Sequence, residues 1–334
     1  MTESGSHFEA VSVVVPVYNS AENLPALVSR LESALAKCAS GFELILVNDG
    51  SRDDSWPVIC RLSGQYDWIC GISLMRNYGQ HNAVLCGIRL ARYDTIVTID
   101  DDLQHPPEEI PKLLERLAQG YDVVYGTPMN ERHGLWRDAA SRITKVALQS
   151  AMGADIARSV SAFRAMRTEL RDAFVAYCGP FVSIDTLLTW GTTNFTSVPV
   201  RSDARFSGRS NYTLRKLVVH AFNMMTGFST VPLQFASWIG FAFTAVGFCV
   251  LLYVIGRFLI HGGSVPGFPF LASIVALFSG AQLFSLGIIG EYLARVHFRV
   301  MDKPPYVVRN SINNGSASAV PFERRRDPFH NQET

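Results

Sequence analysis

The chain has 334 residues, 48% of them hydrophobic, and a formal net charge of +1. That length is ample for a buried core, and the near-neutral balance supplies no global field for nucleic acid. The six cysteines, Cys38, Cys60, Cys70, Cys86, Cys178 and Cys249, form no Cys-x-x-Cys pair, and none lies near a histidine at zinc-ligand spacing, so they read as reduced thiols in a cytosolic setting. Met1 to Ala10 lacks the basic stretch and apolar run of a signal peptide, and the N-terminal part of the chain is expected to stay in the cytoplasm.

Val11 to Val17 is a β-branched run that reads as a buried strand entering a loop at Tyr18-Asn19. Leu24, Leu27, Val28, Leu31 and Leu35 recur at helical spacing within a helix expected over Ala21 to Ala36. A strand follows over Glu43 to Val47, running into Asn48-Asp49-Gly50-Ser51, then a helix over Ser55 to Tyr66 and a strand over Ile69 to Leu74. Asn82 to Arg92 reads as helix and Thr95 to Ile99 as a strand ending in Asp100-Asp101-Asp102. Pro106 and Pro107 open the next helix, Glu108 and Glu109 lie at its positive dipole end, and Gly120 closes it. Tyr121 to Tyr125 is a further strand.

This strand–helix alternation implies an α/β fold, a mostly parallel sheet with helices on both faces. Such sheets bind ligands beyond the carboxyl ends of their strands, where Tyr18-Asn19, Asp49-Gly50 and Asp100 to Asp102 all fall. Over 127–200 the pattern is mixed, with helices expected at Arg132 to Met152 and Thr168 to Tyr177 and a strand at Ser197 to Val200.

The apolar excess lies late in the chain. Phe235 to Gly256 and Phe268 to Gly290 contain no charged residue; at about 1.5 Å per residue each is long enough for the roughly 30 Å hydrocarbon core. The short, glycine-rich link Arg257 to Gly267 makes them a two-span hairpin. Arg209, Arg215 and Lys216 precede the hairpin, and Arg295, Arg299, Lys303 and Arg309 follow it. The positive-inside rule therefore places both flanks, and both termini, in the cytoplasm. Tyr212 to Phe228 carries Leu214, Leu217, Val218, Ala221, Phe222 and Met225 on one face. It reads as an amphipathic helix at the membrane interface, a core-packing helix being the alternative. The expected organisation is a catalytic domain over 1–211, an interface helix over 212–230, the spans within 231–293, a cytoplasmic return segment over 294–310, and a disordered polar tail over 311–334.

Asp100 and Asp102 stand two apart just past a buried strand. Magnesium is held by one or two carboxylates together with substrate phosphates, and Gln104 adds a neutral oxygen. An acidic triplet alone is weak, since acidic loops are usually just solvated; the strand before it and the helix after it favour the metal reading. Asp-Gly at 49–50 is a common turn pair, and Tyr18 offers a flat ring for a nucleobase.

Together Pro16-Val17-Tyr18-Asn19, Asn48-Asp49-Gly50-Ser51, Arg76-Asn77-Tyr78-Gly79-Gln80-His81, Asp100-Asp101-Asp102-Leu103-Gln104-His105-Pro106-Pro107 and Arg205-Phe206-Ser207-Gly208-Arg209-Ser210 resemble the polyprenyl-phosphate glycosyltransferases, most closely the bacterial members. The resemblance runs from about Ser12 to Val308 and includes the hairpin. It implies a GT-A nucleotide-diphospho-sugar fold and inverting transfer with Mg2+ or Mn2+. It also implies a nucleotide-sugar donor, carrying uridine diphosphate, and a polyprenyl phosphate acceptor at the inner membrane; a homo-oligomer, a tetramer, is the family habit.

Carried over by position, Pro16, Tyr18, Asn19, Asp49 and Asp101 resemble nucleotide-binding residues, and Asp100, Asp102 and Gln104 the metal and diphosphate set. Arg132 and Arg137 stand where the family places arginines beside the phosphates. Arg164 and Arg205, with Gln80, His81, Ser161, Ser210 and Asn211, resemble the sugar and acceptor side. Guanidinium groups suit this, because they bind phosphate oxygens bidentately. An ionised phosphate acceptor needs little help from a general base.

Three positions depart from the family: Ser20 replaces a frequent glutamate, Asn211 a lysine and Arg158 an aspartate. These departures are expected to mark a different sugar or altered lipid binding. A processive polysaccharide synthase is disfavoured by the absence of a Gln-x-x-Arg-Trp motif, and a catalytically silent scaffold by the intact Asp100, Asp102, Gln104 set.

Overall fold

The computed structural model describes residues 8–128, 159–179, 182–203, 231–261, 268–301, 303–313 and 316–318. The chain divides into two compact units, one built from 1–138, 148–211 and 304–334 and the other from 139–147 and 212–303.

Among the described residues the first unit holds nine strands: β1 (Phe8–Val17), β2 (Ala39–Asn48), β3 (Ile69–Leu74), β4 (Thr95–Thr98), β5 (Val123–Pro128), β6 (Arg164–Arg167), β7 (Phe195–Val200), β8 (Val308–Asn313) and β9 (Ser316–Ser318). They form one sheet in the order β7-β5-β6-β4-β1-β2-β3-β8-β9. At its centre β4, β1, β2 and β3 run parallel, so their carboxyl ends share one edge. Helices α1 (Leu24–Leu35), α2 (Ser55–Gln65), α3 (Gln80–Leu90), α4 (Ile110–Ala118) and α5 (Ile184–Gly191) cover the sheet.

Both faces of the central strands are buried, which is why β1 reads as a continuous valine run rather than an alternation. Val11, Val13, Val15 and Val17 join Leu24, Leu27, Val28, Leu31 and Leu35 of α1 and the apolar side of α4 in one core. Val14 points the other way, into a core with Ala83, Leu85 and Ile88 of α3 and with Leu187 and Leu188 of α5. Each fully buried leucine or valine contributes about 1.5–3 kcal/mol relative to exposure.

Three elements differ from the sequence expectation. The helix foreseen over Thr168 to Tyr177 is a short 3₁₀ segment, Thr168–Ala173, and α5 follows it, too short to be read from periodicity. The strand β6, Arg-Ala-Met-Arg, carries no strand signature, because its conformation comes from antiparallel pairing to β4 and β5 on either side. The tail expected to be disordered from Ser311 is ordered at its start. β8 pairs antiparallel with β3 from Leu74↔Val308 to Cys70↔Asn313, and β9 pairs with β8. The outer edge of β3 carries backbone groups that need partners, and the polar strand supplies them while burying Ile312.

The second unit contains α6 (Val231–His261) and α7 (Phe268–Val300), of 31 and 33 residues. Both are long and apolar enough to cross a membrane. Phe243 meets Phe278 edge to face at 5.7 Å, and the Phe278 ring lies against Gly247. Elsewhere Trp238, Phe241, Leu259 and Leu283 are exposed, as expected of helices whose solvent is lipid. The helices foreseen over Arg132 to Met152 and Tyr212 to Phe228 lie outside the described residues.

The close approach of α3 to β1 rests on Gly87, where an added Cβ would stand 2.3 Å from Val14 Cγ1. Gly87→Ala is therefore expected to destabilise the first unit by about 1–3 kcal/mol through overpacking. The check is the thermal midpoint of the detergent-solubilised protein; an unchanged midpoint would mean that the contact yields without cost.

Candidate active site

The site is assembled at the carboxyl edge of the parallel strands. β1 ends at Val17, where the Asp49 amide still donates to the Val17 carbonyl at 2.9 Å. Pro16 is buried inside β1 opposite Val47, and so shapes the strand end rather than facing outward. Tyr18 emerges with 38% of its surface exposed. Asn19 takes a left-handed conformation, φ 54°, which asparagine tolerates better than most residues.

The loop is then laced to its neighbour. The Asn19 amide donates to Ser51 Oγ at 3.0 Å, and Asn19 Oδ1 accepts from the Arg52 amide at 2.8 Å. Ser20 N donates to Ser55 Oγ at 2.9 Å and Ala21 N to Asp53 Oδ2 at 3.1 Å. Ser20 turns its own hydroxyl towards the Tyr18 carbonyl at 3.3 Å.

The acidic triplet splits three ways. Asp100 Oδ1 accepts from Gln80 Nε2 at 2.6 Å, from the first residue of α3. Asp101 Oδ2 accepts the Tyr18 amide at 3.1 Å. Burial pushes the Asp101 carboxyl up to about 6, against the opposing pull of the Ser20 hydroxyl and Tyr18 amide and with a further push from the adjacent Asp102 charge. Asp102 Oδ1 accepts the Gln104 amide at 3.1 Å, closing a turn in which Leu103 is forced to φ 60° while buried in the core. Such a conformation costs a leucine on the order of 1 kcal/mol or more and persists only where packing over-determines it. The Gln104 carbonyl then accepts the Asp203 amide at 2.9 Å, joining the turn to the segment after β7.

Asp100, Asp102 and Gln104 offer only oxygen donors, the set a hard divalent cation prefers. Among the described residues no three His, Cys, Asp or Glu side chains gather into a complete metal cage. Two carboxylates and an amide oxygen are the kind of donors that suit an ion sharing its coordination with a diphosphate.

On the α3 side the geometry turns on Asp49. It is 2% exposed, and its two oxygens accept the Tyr78 amide at 2.7 Å and the Gly79 amide at 2.8 Å. Burial raises this carboxyl and the two amides pull it back. Gly50 must be glycine: its φ is 64°, and a Cβ would stand 2.5 Å from the backbone of Arg76 and Asn77. Asp49, read in the sequence as a nucleotide contact, therefore acts on the loop that delivers α3. His81 lies at the start of α3, its Nδ1 3.5 Å from the Ile184 amide, and Ser161 Oγ accepts the Phe163 amide at 3.2 Å.

Arg164 departs from the sequence expectation. It is 3% exposed on β6 and ion-paired to Asp185 of α5. Its Nε donates to Thr98 Oγ1 at 3.2 Å, and the Tyr125 hydroxyl donates to the same Asp185 at 3.1 Å. A guanidinium neutralised and enclosed in this way is a core element, not a phosphate-facing cation. The sequence signal for the network was Asp185 itself, a lone carboxylate among apolar residues. Arg132, Arg137, Arg158, Arg205, Ser210 and Asn211 lie outside the described residues.

Arg164→Ala leaves Asp185 buried without its countercharge, which is expected to cost about 3–5 kcal/mol, part of it recovered by adding Asp185→Asn. A raised donor KM at an unchanged thermal midpoint would instead return Arg164 to the binding site. For Asp101 the sign follows from a carboxyl raised in the folded state. Its contribution to stability is fully present below the ordinary value of 3.8 and is lost as pH rises through about 6. Unfolding measured across this window with a chelator present should show that slope, and Asp101→Asn should flatten it.

Comparison with known proteins agrees with this architecture. Residues 12–176 match the family model Glycosyl transferase family 2. The undecaprenyl-phosphate 4-deoxy-4-formamido-L-arabinose transferase of Pseudomonas paraeruginosa (strain DSM 24068 / PA7) is 35% identical over 326 residues, covering 96% of this chain and 95% of that protein. The transferase of the same name from Yersinia pestis (strain Pestoides F) is 34% identical, covering 90% and 93%. In fold, the chain is similar to glucosyl-3-phosphoglycerate synthase from Mycobacterium tuberculosis, solved in complex with Mn2+, uridine-diphosphate and glucosyl-3-phosphoglycerate. The TM-score is 0.51 at 19% identity, over 65% of this chain and 78% of that one. The first unit has a GT-A-like fold, and the chain belongs to glycosyl transferase family 2, among the polyprenyl-phosphate glycosyltransferases.

Proposed function

We propose that this glycosyltransferase moves a sugar from a uridine-diphosphate sugar onto undecaprenyl phosphate at the cytoplasmic face of the inner membrane, with inversion at the anomeric carbon and a divalent metal. The observation that carries the reading is the whole-length similarity to transferases named for undecaprenyl phosphate, at 35% identity over 96% of the chain. The basic flanks of the apolar pair, Arg215 and Lys216 before it and Lys303 and Arg309 after it, support cytoplasmic placement of both ends.

In this reading the exposed Tyr18 ring and Asn19 receive the nucleotide, and Asp49 holds the loop beneath it. Asp100, Asp102 and Gln104 are the residues that would hold the metal. When bound, the ion supplies positive charge that stabilises the departing diphosphate. Gln80 fixes the orientation of Asp100, and Asp101 holds the Tyr18 loop against the acidic turn. Gln80, His81 and Ser161 stand on the sugar side. Arg132, Arg137, Arg205, Ser210 and Asn211 are assigned to the phosphates and the acceptor from their sequence positions.

The acceptor phosphate is ionised at neutral pH and needs no proton removed, so the chain contributes position and charge rather than a general base. Attack from the face opposite the leaving diphosphate inverts the anomeric centre.

The test is transfer of labelled sugar from a panel of nucleotide sugars, 4-deoxy-4-formamido-L-arabinose donors included, to undecaprenyl phosphate with and without Mg2+. Label is expected in the lipid only with metal, and Asp102→Ala is expected to lower the rate by about 10²-fold or more. Lipid labelling that persists in chelator and in Asp102→Ala would remove the metal from the mechanism. No labelling from any donor by folded protein that binds nucleotide would remove the proposed acceptor.

A further inference from the structure

We propose that the segment following the second apolar helix, Pro304 to Asn313, is a positioning strap for the donor site, acting through Tyr306 and Arg309; this rests on the function proposed above. Met75 is the first residue after β3. Its amide donates to the Val307 carbonyl at 2.9 Å, and its carbonyl accepts from Arg309 Nη2 at 3.0 Å. Both backbone polar groups of Met75 are thus taken by the strap, across a sequence separation of 234 residues in the Arg309 case.

Tyr306 is 6% exposed in the core beneath α3. Its ring lies 5.6 Å from the Arg89 guanidinium, within cation–π range, and its hydroxyl accepts from Arg89 Nη1 at 3.4 Å. A second Arg89 nitrogen, Nη2, donates to the Tyr177 carbonyl at 2.6 Å. Ile312, further along β8, sits over Gly71 of β3, 2.8 Å from where a Cβ would be.

The loop Met75–Gly79 is therefore held at two ends by different parts of the chain. Asp49 grips the Tyr78 and Gly79 amides, and the strap grips Met75. Gln80 follows directly and donates to Asp100. Among the described residues β8 is the only strand along the outer edge of β3. Release of the strap frees the rear of the loop and the seat of α3 without touching any residue assigned to the metal or diphosphate.

The experiment uses the full chain in detergent, with Tyr306→Ala and Arg309→Ala and their conservative counterparts Tyr306→Phe and Arg309→Lys. Hydrogen–deuterium exchange is expected to rise in peptides spanning 75–82 and to stay unchanged in β1 and β4. The KM for the uridine-diphosphate sugar should rise roughly threefold to tenfold, the scale of one lost hydrogen bond, with the KM for undecaprenyl phosphate unchanged. The conservative variants should restore both.

Unchanged exchange over 75–82 in both alanine variants would overturn the proposal. So would a uniform rise along the whole sheet with kcat falling, which is the signature of a merely structural strand. Should the unaltered protein transfer nothing, the proposed function falls, and the exchange comparison still decides the strap by itself.

Discussion

A buried carboxylate holding two backbone amides sets the site in place. Asp49 closes β2 and grips Tyr78 and Gly79 at the start of α3. An ionised acceptor in a low-dielectric setting makes strong hydrogen bonds, and an unmatched one would be costly. The pairing therefore fixes the loop far more tightly than a turn sequence does. From it follow the approach of Gly50 to the Arg76–Asn77 backbone, the direction of α3, and the arrival of Gln80 at Asp100.

The acidic turn shows how one short sequence supplies three separate roles. Each of the three adjacent carboxylates takes its own hydrogen-bond partner, because successive residues leaving a strand point to alternate sides. Asp100 turns to α3, Asp101 to the β1 loop, and Asp102 to its own turn. The raised Asp101 carboxyl reflects burial beside a second acid. The strained Leu103 that permits the turn is anchored in the core, so the stability of the sheet sustains the geometry of the site.

The same logic separates arginines that hold the protein together from those available to a ligand. Arg164 lies between Asp185, Thr98 and the Tyr125 ring. Arg89 stacks on Tyr306 and bonds a carbonyl. Both guanidinium groups already have fixed partners. A cation intended for a phosphate must keep its donors accessible, which an enclosed ion pair does not.

Much of both units was legible in the chain. The valine run of β1, the leucine spacing of α1, the glycine and proline punctuation and the charge-free helices are local patterns imposed by burial on both faces of a parallel sheet and by an apolar solvent. The polar clusters at the strand ends were legible for the same reason, since parallel strands must end on one edge. What each polar side chain touches was decided by tertiary structure. Asp49 and Arg164 match family positions by sequence, but the first faces a loop and the second a buried acid, because partners remote in sequence determine where a charge is neutralised. β6 and β8 have no strand pattern of their own; neighbouring strands that needed hydrogen-bond partners made them strands, and no local sequence rule records that need.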